Sequence, residues 1–244
     1  MFILEYSEFK VIFVNAFHIN NLPSPNEEQT ERFHRFCEFL LETNKTTNLT
    51  AIRTPEDVIY KHFVDSALVS AYIPQNATVL DLGCGPGFPS LPLAILRPDL
   101  SIKALDSTAK KIAFLNQAAE LLQLSNIKGI SGRAEDAAIR KQLGQFDVVV
   151  SRAVARLNVL SELCIPYLKI NGRLVALKGA KAAEELDEAQ NAIKILGGSD
   201  ALLVNTNLAT EEEAEVRGII LITKKAASPQ KYPRPYAAIL KKPL

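Results

Sequence analysis

"VLDLGCGPGFPS", residues 79–90, decides how this chain is read. A short apolar run carries an acid, Asp81, and opens into a loop with glycines at 83, 85 and 87. Runs rich in branched residues lie near 78–82, 101–105, 127–130, 146–151 and 173–178, alternating with helical patterns near 88–96, 108–123, 134–142, 156–168 and 180–196. Such alternation predicts an α/β fold, a parallel sheet with helices on both faces. The quoted stretch is then its first strand-to-helix turn. Two further runs, from 201 and at 218–223, have no long helix between them. They predict an antiparallel pair at one edge of a mostly parallel seven-stranded sheet.

In such sheets ligands bind beyond the carboxyl ends of the strands, where strand order reverses. A dinucleotide fingerprint, GxGxxG, would need a third glycine at 88 or 90, where Phe88 and Ser90 stand. Pro89 and Pro92 also remove amide donors where a pyrophosphate would want them. The order DxGxGxG suits S-adenosylmethionine better: Asp81 brings negative charge toward an ammonium group, and loop amides can meet a carboxylate. The second strand ends at Asp106, whose ionised carboxylate can accept from both ribose hydroxyls. After the third strand, the Ala134 amide and the Glu135 side chain can address an adenine edge. After the fourth, "SRAVAR" sets Arg152 at the mouth. Helix capping by Glu135 and a surface ion pair at Arg152 are the plainer alternatives.

The flanking regions read differently. Asn26 with Gln29 forms a capping-box pattern ahead of Phe33, Phe36, Cys37, Leu40 and Leu41 at helical spacing. Thr54 followed by Pro55 predicts a second helix running to about Pro74. The expected organisation is an accessory segment over 1–25, a helical region over 26–74, the ligand-binding domain over 75–225, and a basic Pro-containing tail over 226–244. Acidic residues break the apolar N-terminus, so it is read as a segment that packs or frays and not as a secretory signal.

Composition sets limits. With 48% hydrophobic and 23% charged residues among 244, the chain is neither disordered nor membrane-like. Its 28 basic and 27 acidic residues give no overall pull toward nucleic acid, although residues 224–244 contain six lysines and arginines and no acid. Three scattered cysteines and three histidines fit neither a disulfide framework nor a metal site, so a reducing cytoplasm is expected.

The acceptor can be narrowed by what is missing. No polar-Pro-Pro-aromatic loop follows the fourth strand, as amine methylation of adenine commonly needs. Cys164 has the apolar flank of a core residue and lies far from where a pyrimidine-attacking thiol would sit. An acceptor with a free lone pair, such as guanine N7, requires positioning and no general base. No catalytic residue is assigned. A methyltransferase acting on a small molecule or a protein, and a nonenzymatic S-adenosylmethionine-binding module, stay open on these residues alone.

The segments "NLTAIRTPEDVIYKHFVDS" (48–66), "VLDLGCGPGFPSLPLAILRPDL" (79–100), "SRAVARL" (151–157), "GRLVALKG" (172–179) and the ending "KYPR" (231–234) together resemble the bacterial small-subunit ribosomal RNA methyltransferase G family. The likeness spans roughly residues 26–244. It implies a class I, Rossmann-like methyltransferase fold with an N-terminal helical extension, S-adenosylmethionine as donor, and N7 of a guanosine in 16S ribosomal RNA as acceptor. The substrate would be that RNA or the small ribosomal subunit, with no membrane association and no stable protein partner. On that pattern Gly83, Phe88, Ala134, Glu135 and Arg152 bind the donor, with Asp106 added from its strand end. His62 and Asp65 match the family's HxxDS segment but are left outside the expected site as structural helix residues. Ser90 stands where the family commonly has glycine.

Overall fold

Thr78–Leu82 (β1) is an interior strand of a seven-stranded sheet, beside its middle strand. The computed structural model describes residues 4–152 and 154–244; residues 1–3 of the N-terminal segment and Ala153 of "SRAVAR" lie outside the described residues. The other strands are β2 (Ser101–Asp106), β3 (Ile127–Ser131), β4 (Phe146–Arg152), β5 (Leu168–Lys178), β6 (Gly198–Ala209) and β7 (Ala214–Lys224). Their order is β3-β2-β1-β4-β5-β7-β6. The first five strands in that order are parallel, and the β6–β7 hairpin closes one edge antiparallel, so the sheet is mixed. The chain runs outward from β1 to β3 and returns at β4. That reversal puts the crevice between the carboxyl ends of β1 and β4.

Period-2 side-chain alternation divides the sheet into two cores. Val79, Ile102, Ala104, Val148, Val150 and Val175 face one core, while Leu80, Leu105, Val149, Leu174 and Ala176 face the other. The first core is covered by α1 (Tyr6–Ile19), α2 (Glu27–Thr47), α5 (Ser90–Leu96) and α6 (Ala109–Leu121). The second packs under α7 (Ala137–Leu143), α8 (Leu157–Cys164), α9 (Ala182–Ile195) and α10 (Tyr236–Lys241). Cys164 is wholly buried there, as a core residue.

The N-terminal segment packs. Phe9, Phe13 and Phe17 recur every four residues, so one stripe of α1 is aromatic and buried. The stripe feeds a chain of rings: Phe13 meets Phe33 at 4.9 Å, Phe33 meets Phe63 at 4.8 Å, Phe63 meets Phe36 at 5.4 Å, and Phe36 meets Phe88 of the glycine loop at 5.5 Å. The capping box forms as read: Asn26 Oδ1 accepts from the Gln29 amide and Gln29 Oε1 from the Asn26 amide, each at 2.9 Å.

Three boundaries and one charge assignment differ from expectation. The helix capped by Thr54 is α3 (Pro55–Val58), then a π-helical stretch Ile59–Val64, then α4 (Asp65–Ala67), with a single 3₁₀ turn Ser70–Tyr72 replacing its predicted end. Strand β5 begins five residues before the predicted 173, because the Asn171-Gly172 pair is absorbed as an irregularity in the β4 pairing instead of ending the strand. The hairpin strands extend past their apolar centres, since pairing to each other satisfies the backbone of polar residues too. Finally, two of the six cations counted over residues 224–244 point inward. Lys224 Nζ donates to the Leu168 carbonyl at 2.8 Å, and Arg234 pairs with the buried Glu162 at 2.6 Å.

The aromatic stripe predicts a sharp contrast within α1. Phe13→Ala should cost ~3–5 kcal/mol in urea unfolding, and Val11→Ala, at a position 71% exposed, under about 0.5 kcal/mol. Equal costs at the two positions would mean that α1 is not docked on α2.

Candidate active site

The loop after β1 is held from both sides. The amides of Gly83 and Cys84 both donate to the Leu105 carbonyl, at 2.8 and 3.2 Å, continuing the contact with β2 past the strand end. The Gly85 amide donates to Asp106 Oδ2 at 2.9 Å, and the Thr108 amide to Asp106 Oδ1 at 2.8 Å. Asp106 thus ties the loop to the second strand, and a carboxylate with about four acceptor positions keeps two for a ligand. Gly83 sits at φ +77°, where an added Cβ would fall 2.4 Å from Val154 Cγ2. Gly85 sits at φ +55° with no heavy atom within 4 Å of such a Cβ, so its open face belongs to the cavity.

Asp81 does not line that cavity. It is fully buried, its Oδ2 accepting from the Ser90 amide at 3.0 Å while Oδ1 has no partner. Burial pushes its carboxyl up to about 7. Asp81, expected to bring negative charge toward an ammonium group, thus stands behind the loop, and what the loop turns to the cavity is the open cradle at Gly85, where a ligand can lie against the backbone.

Two lobes make up the cavity, sharing Gly83 and Val154. The smaller, about 200 Å³, is lined by Asp106, Ala134 and Glu135, among others. The larger, about 650 Å³, takes in Phe88 and Arg152. All six residues expected at the site therefore face one cleft. Glu135 caps no helix; its neighbour Asp136 does, accepting from the Ala138 amide at 2.8 Å. The Ala134 carbonyl accepts from the Tyr167 hydroxyl at 2.8 Å, which holds the turn after β3 against the second core.

Arg152 is no surface ion pair. Its Nη1 donates to Asp65 Oδ2 at 2.9 Å and to the Lys61 carbonyl at 2.8 Å, and its Nη2 lies 3.0 Å from His62 Nδ1. The guanidinium also sits 5.3 Å from the Phe88 ring centroid, and His62 stacks on that ring at 4.1 Å and 13°. Asp65 Oδ1 accepts from Arg217 Nε at 2.7 Å, so one buried carboxylate holds two arginines. Arginine only donates, so His62 Nδ1 must be the acceptor and its proton lies on Nε2, facing Thr50 Oγ1 at 3.0 Å. Burial, and then the Arg152 charge, lower His62 to about 3, and it stays neutral.

His62, Asp65, Thr50, Lys178 and Arg217 all line the larger lobe and were outside the expected site. The HxxDS spacing was the available signal for the first two. Lys178 ends β5 and could have been found by the strand-end argument that found Asp106; it is buried, bonded to the Ala155 carbonyl and paired with Glu185 at 2.9 Å. Arg217 carries no such signal, because it arrives only through the antiparallel pairing of β5 with β7, where Lys178 lies opposite Gly218.

Fold and cleft together define a methyltransferase of the Rossmann-like class. The chain superposes on a Bacillus cereus O-methyltransferase solved in complex with SAH, at TM-score 0.57 and 15% identity, over 88% of this chain and all of the other. A Pyrococcus furiosus methyltransferase gives TM-score 0.56 and 14% identity over 81% of this chain and all of its own. The profile of GidB, rRNA small subunit methyltransferase G, matches residues 29–213. Ribosomal RNA small subunit methyltransferase G of Oceanobacillus iheyensis is 44% identical over 90% of this chain and 92% of its own length. That of Streptococcus pneumoniae R6 is 44% identical over 95% and 98%. The chain belongs to the rRNA small subunit methyltransferase G family.

The neutral His62 gives a pH signature. Folded, it resists protonation until about 3, whereas the unfolded chain takes the proton near 6.5. Stability from this site is therefore complete above about pH 6.5 and is lost as pH falls below it. His62→Gln can keep both hydrogen bonds without titrating, and should lose less stability than the parent between pH 7 and 5 in urea titrations. Asp81, raised from 3.8 to about 7, acts with the opposite sign and cancels in that comparison. Parallel curves for the two proteins would contradict a neutral His62.

Proposed function

We propose that this chain is an S-adenosylmethionine-dependent methyltransferase acting on N7 of a guanosine in 16S ribosomal RNA. The observation that carries this reading is the two-lobed cleft: one lobe offers a strand-end carboxylate, the other a rigid polar wall, and the glycine loop joins them. Asp106 would take the ribose hydroxyls, the turn at Ala134 and Glu135 the adenine, and Gly83 and Gly85 the amino-acid end, with Phe88 and Arg152 beside it. S-adenosylmethionine supplies a sulfonium methyl group, an electrophile that a ring lone pair takes directly.

What the side chains do favours such an acceptor. His62 is neutral, but its Nδ1 lone pair is committed to Arg152 and its proton faces Thr50, so it is not placed to accept a proton from a substrate. All three cysteines are buried, and burial drives their thiols up, Cys37 to about 12. A thiolate attack on a pyrimidine is thereby disfavoured. Guanine N7 needs neither group, only alignment against a stiff wall.

No helix among the described residues is long and apolar enough to cross a membrane. The proposal is further of a cytoplasmic enzyme, with residues 75–225 as the catalytic domain, 26–74 as a helical region bracing it, and 1–25 and 226–244 as flanking segments.

Purified protein should transfer labelled methyl from S-adenosylmethionine to small subunits or 16S RNA, and borohydride–aniline cleavage should map it to a guanosine. Label appearing only in proteins or small molecules would sink the proposal. Asp106→Ala should raise the calorimetric Kd for the donor about ten-fold, the scale of a hydrogen bond to a charged group. Cys164→Ala should leave turnover unchanged, and its loss in a folded protein would refute a thiol-free reaction.

A further inference from the structure

We infer that the C-terminal segment forms a wall of the compartment that takes the adenine base, with Tyr236 as the aromatic contact and the Glu162–Arg234 pair as its clamp. The inference rests on the S-adenosylmethionine reading above and assigns a role to residues that reading does not use. Tyr236, the first residue of α10, lines the smaller lobe together with Asp106, Ala134, Glu135 and Leu163. It is half-buried and packs against the second core, in the cluster that includes Ala134 and Leu163.

The ring is held in place by an unusual anchor. Glu162 is completely buried in α8. Its Oε1 accepts from both the backbone amide and the Nε of Arg234, each at 2.8 Å, and its Oε2 accepts from Nη2 at 2.6 Å. The same Nη2 reaches the Lys242 carbonyl at 3.1 Å, so one guanidinium binds both flanks of α10. A buried carboxylate left without its cation is costly, so the pair resists opening. Glu162 and Leu163 are successive residues and point about 100° apart on a helix. One takes the clamp and the other lines the lobe. Tyr232 and Ile239, both buried, fasten the segment on either side. A tyrosine ring in such a wall offers a π-face to a base at little entropic cost.

The chain contains no tryptophan, so Tyr236→Trp creates a protein with a single strong emitter at this wall. Titration with S-adenosylhomocysteine should quench that emission, saturating at the Kd that calorimetry gives for the same protein. Tyr236→Ala should raise the Kd five-fold or more, on the order expected for losing one base–aromatic contact. Tyr236→Phe should match the parent. So should Leu240→Ala, on the same helix at a position 53% exposed, and both the phenylalanine and the Leu240→Ala variants should keep the parental Tm. Unchanged emission while calorimetry registers binding, or an alanine variant that binds as the parent does, would overturn the inference alone. A parent that binds no S-adenosylhomocysteine would overturn the donor assignment, and this inference with it.

Discussion

The carboxylate of Asp65 carries a constraint on which the site depends. It is buried, and it holds two guanidinium groups brought from far apart in the chain, Arg152 from the end of β4 and Arg217 from β7. Desolvating three charges is expensive, and geometry this close is what offsets it. Removing Asp65 would leave Arg152 without a carboxylate partner, so the helix, strand β4 and the edge hairpin are committed together. Through Arg152 the commitment extends to His62 and Phe88. The short sequence signatures around residues 62, 88 and 152 are, in space, one stacked and hydrogen-bonded unit.

That unit is stiff because its support is also layered. Phe88 is pressed from behind by Phe36, which belongs to a train of rings reaching back to α1. The N-terminal helices thus set the position of a ring in the cleft while contributing few residues to its lining. On the other side, Asp106 fastens the glycine loop to β2 through the Gly85 amide, and Glu162 fastens the C-terminal segment to α8. The smaller lobe is thus held by two carboxylates bonded to main-chain amides, an arrangement that fixes backbone as well as side chains.

Much of this was legible in residue order. Strand runs, the glycine loop and acids at strand ends are local patterns, and a parallel sheet converts them directly into a shared crevice. Asp106, Ala134 and Glu135, read that way, do line one cavity. Where elements deviate from the regular form, the same logic loses its grip: the π-helical stretch Ile59–Val64 sets His62 and Asp65 toward Arg152, a placement that 3.6-residue periodicity gives no means to anticipate. The basic tail shows the reverse error, since composition counts charges without seeing that Lys224 and Arg234 are turned inward.

By itself the sequence determined the α/β class, the place of the ligand loop and the identity of the strand-end acids, because these depend on periodicity and on chemistry within a few residues. Only the tertiary structure decided the partners of Arg152, the neutral state of His62, the arrival of Arg217 across an antiparallel pair, and Tyr236 at the smaller lobe. Those outcomes depend on burial and on contacts between residues tens of positions apart, where desolvation sets the energy of every charge and no linear pattern records which groups will meet.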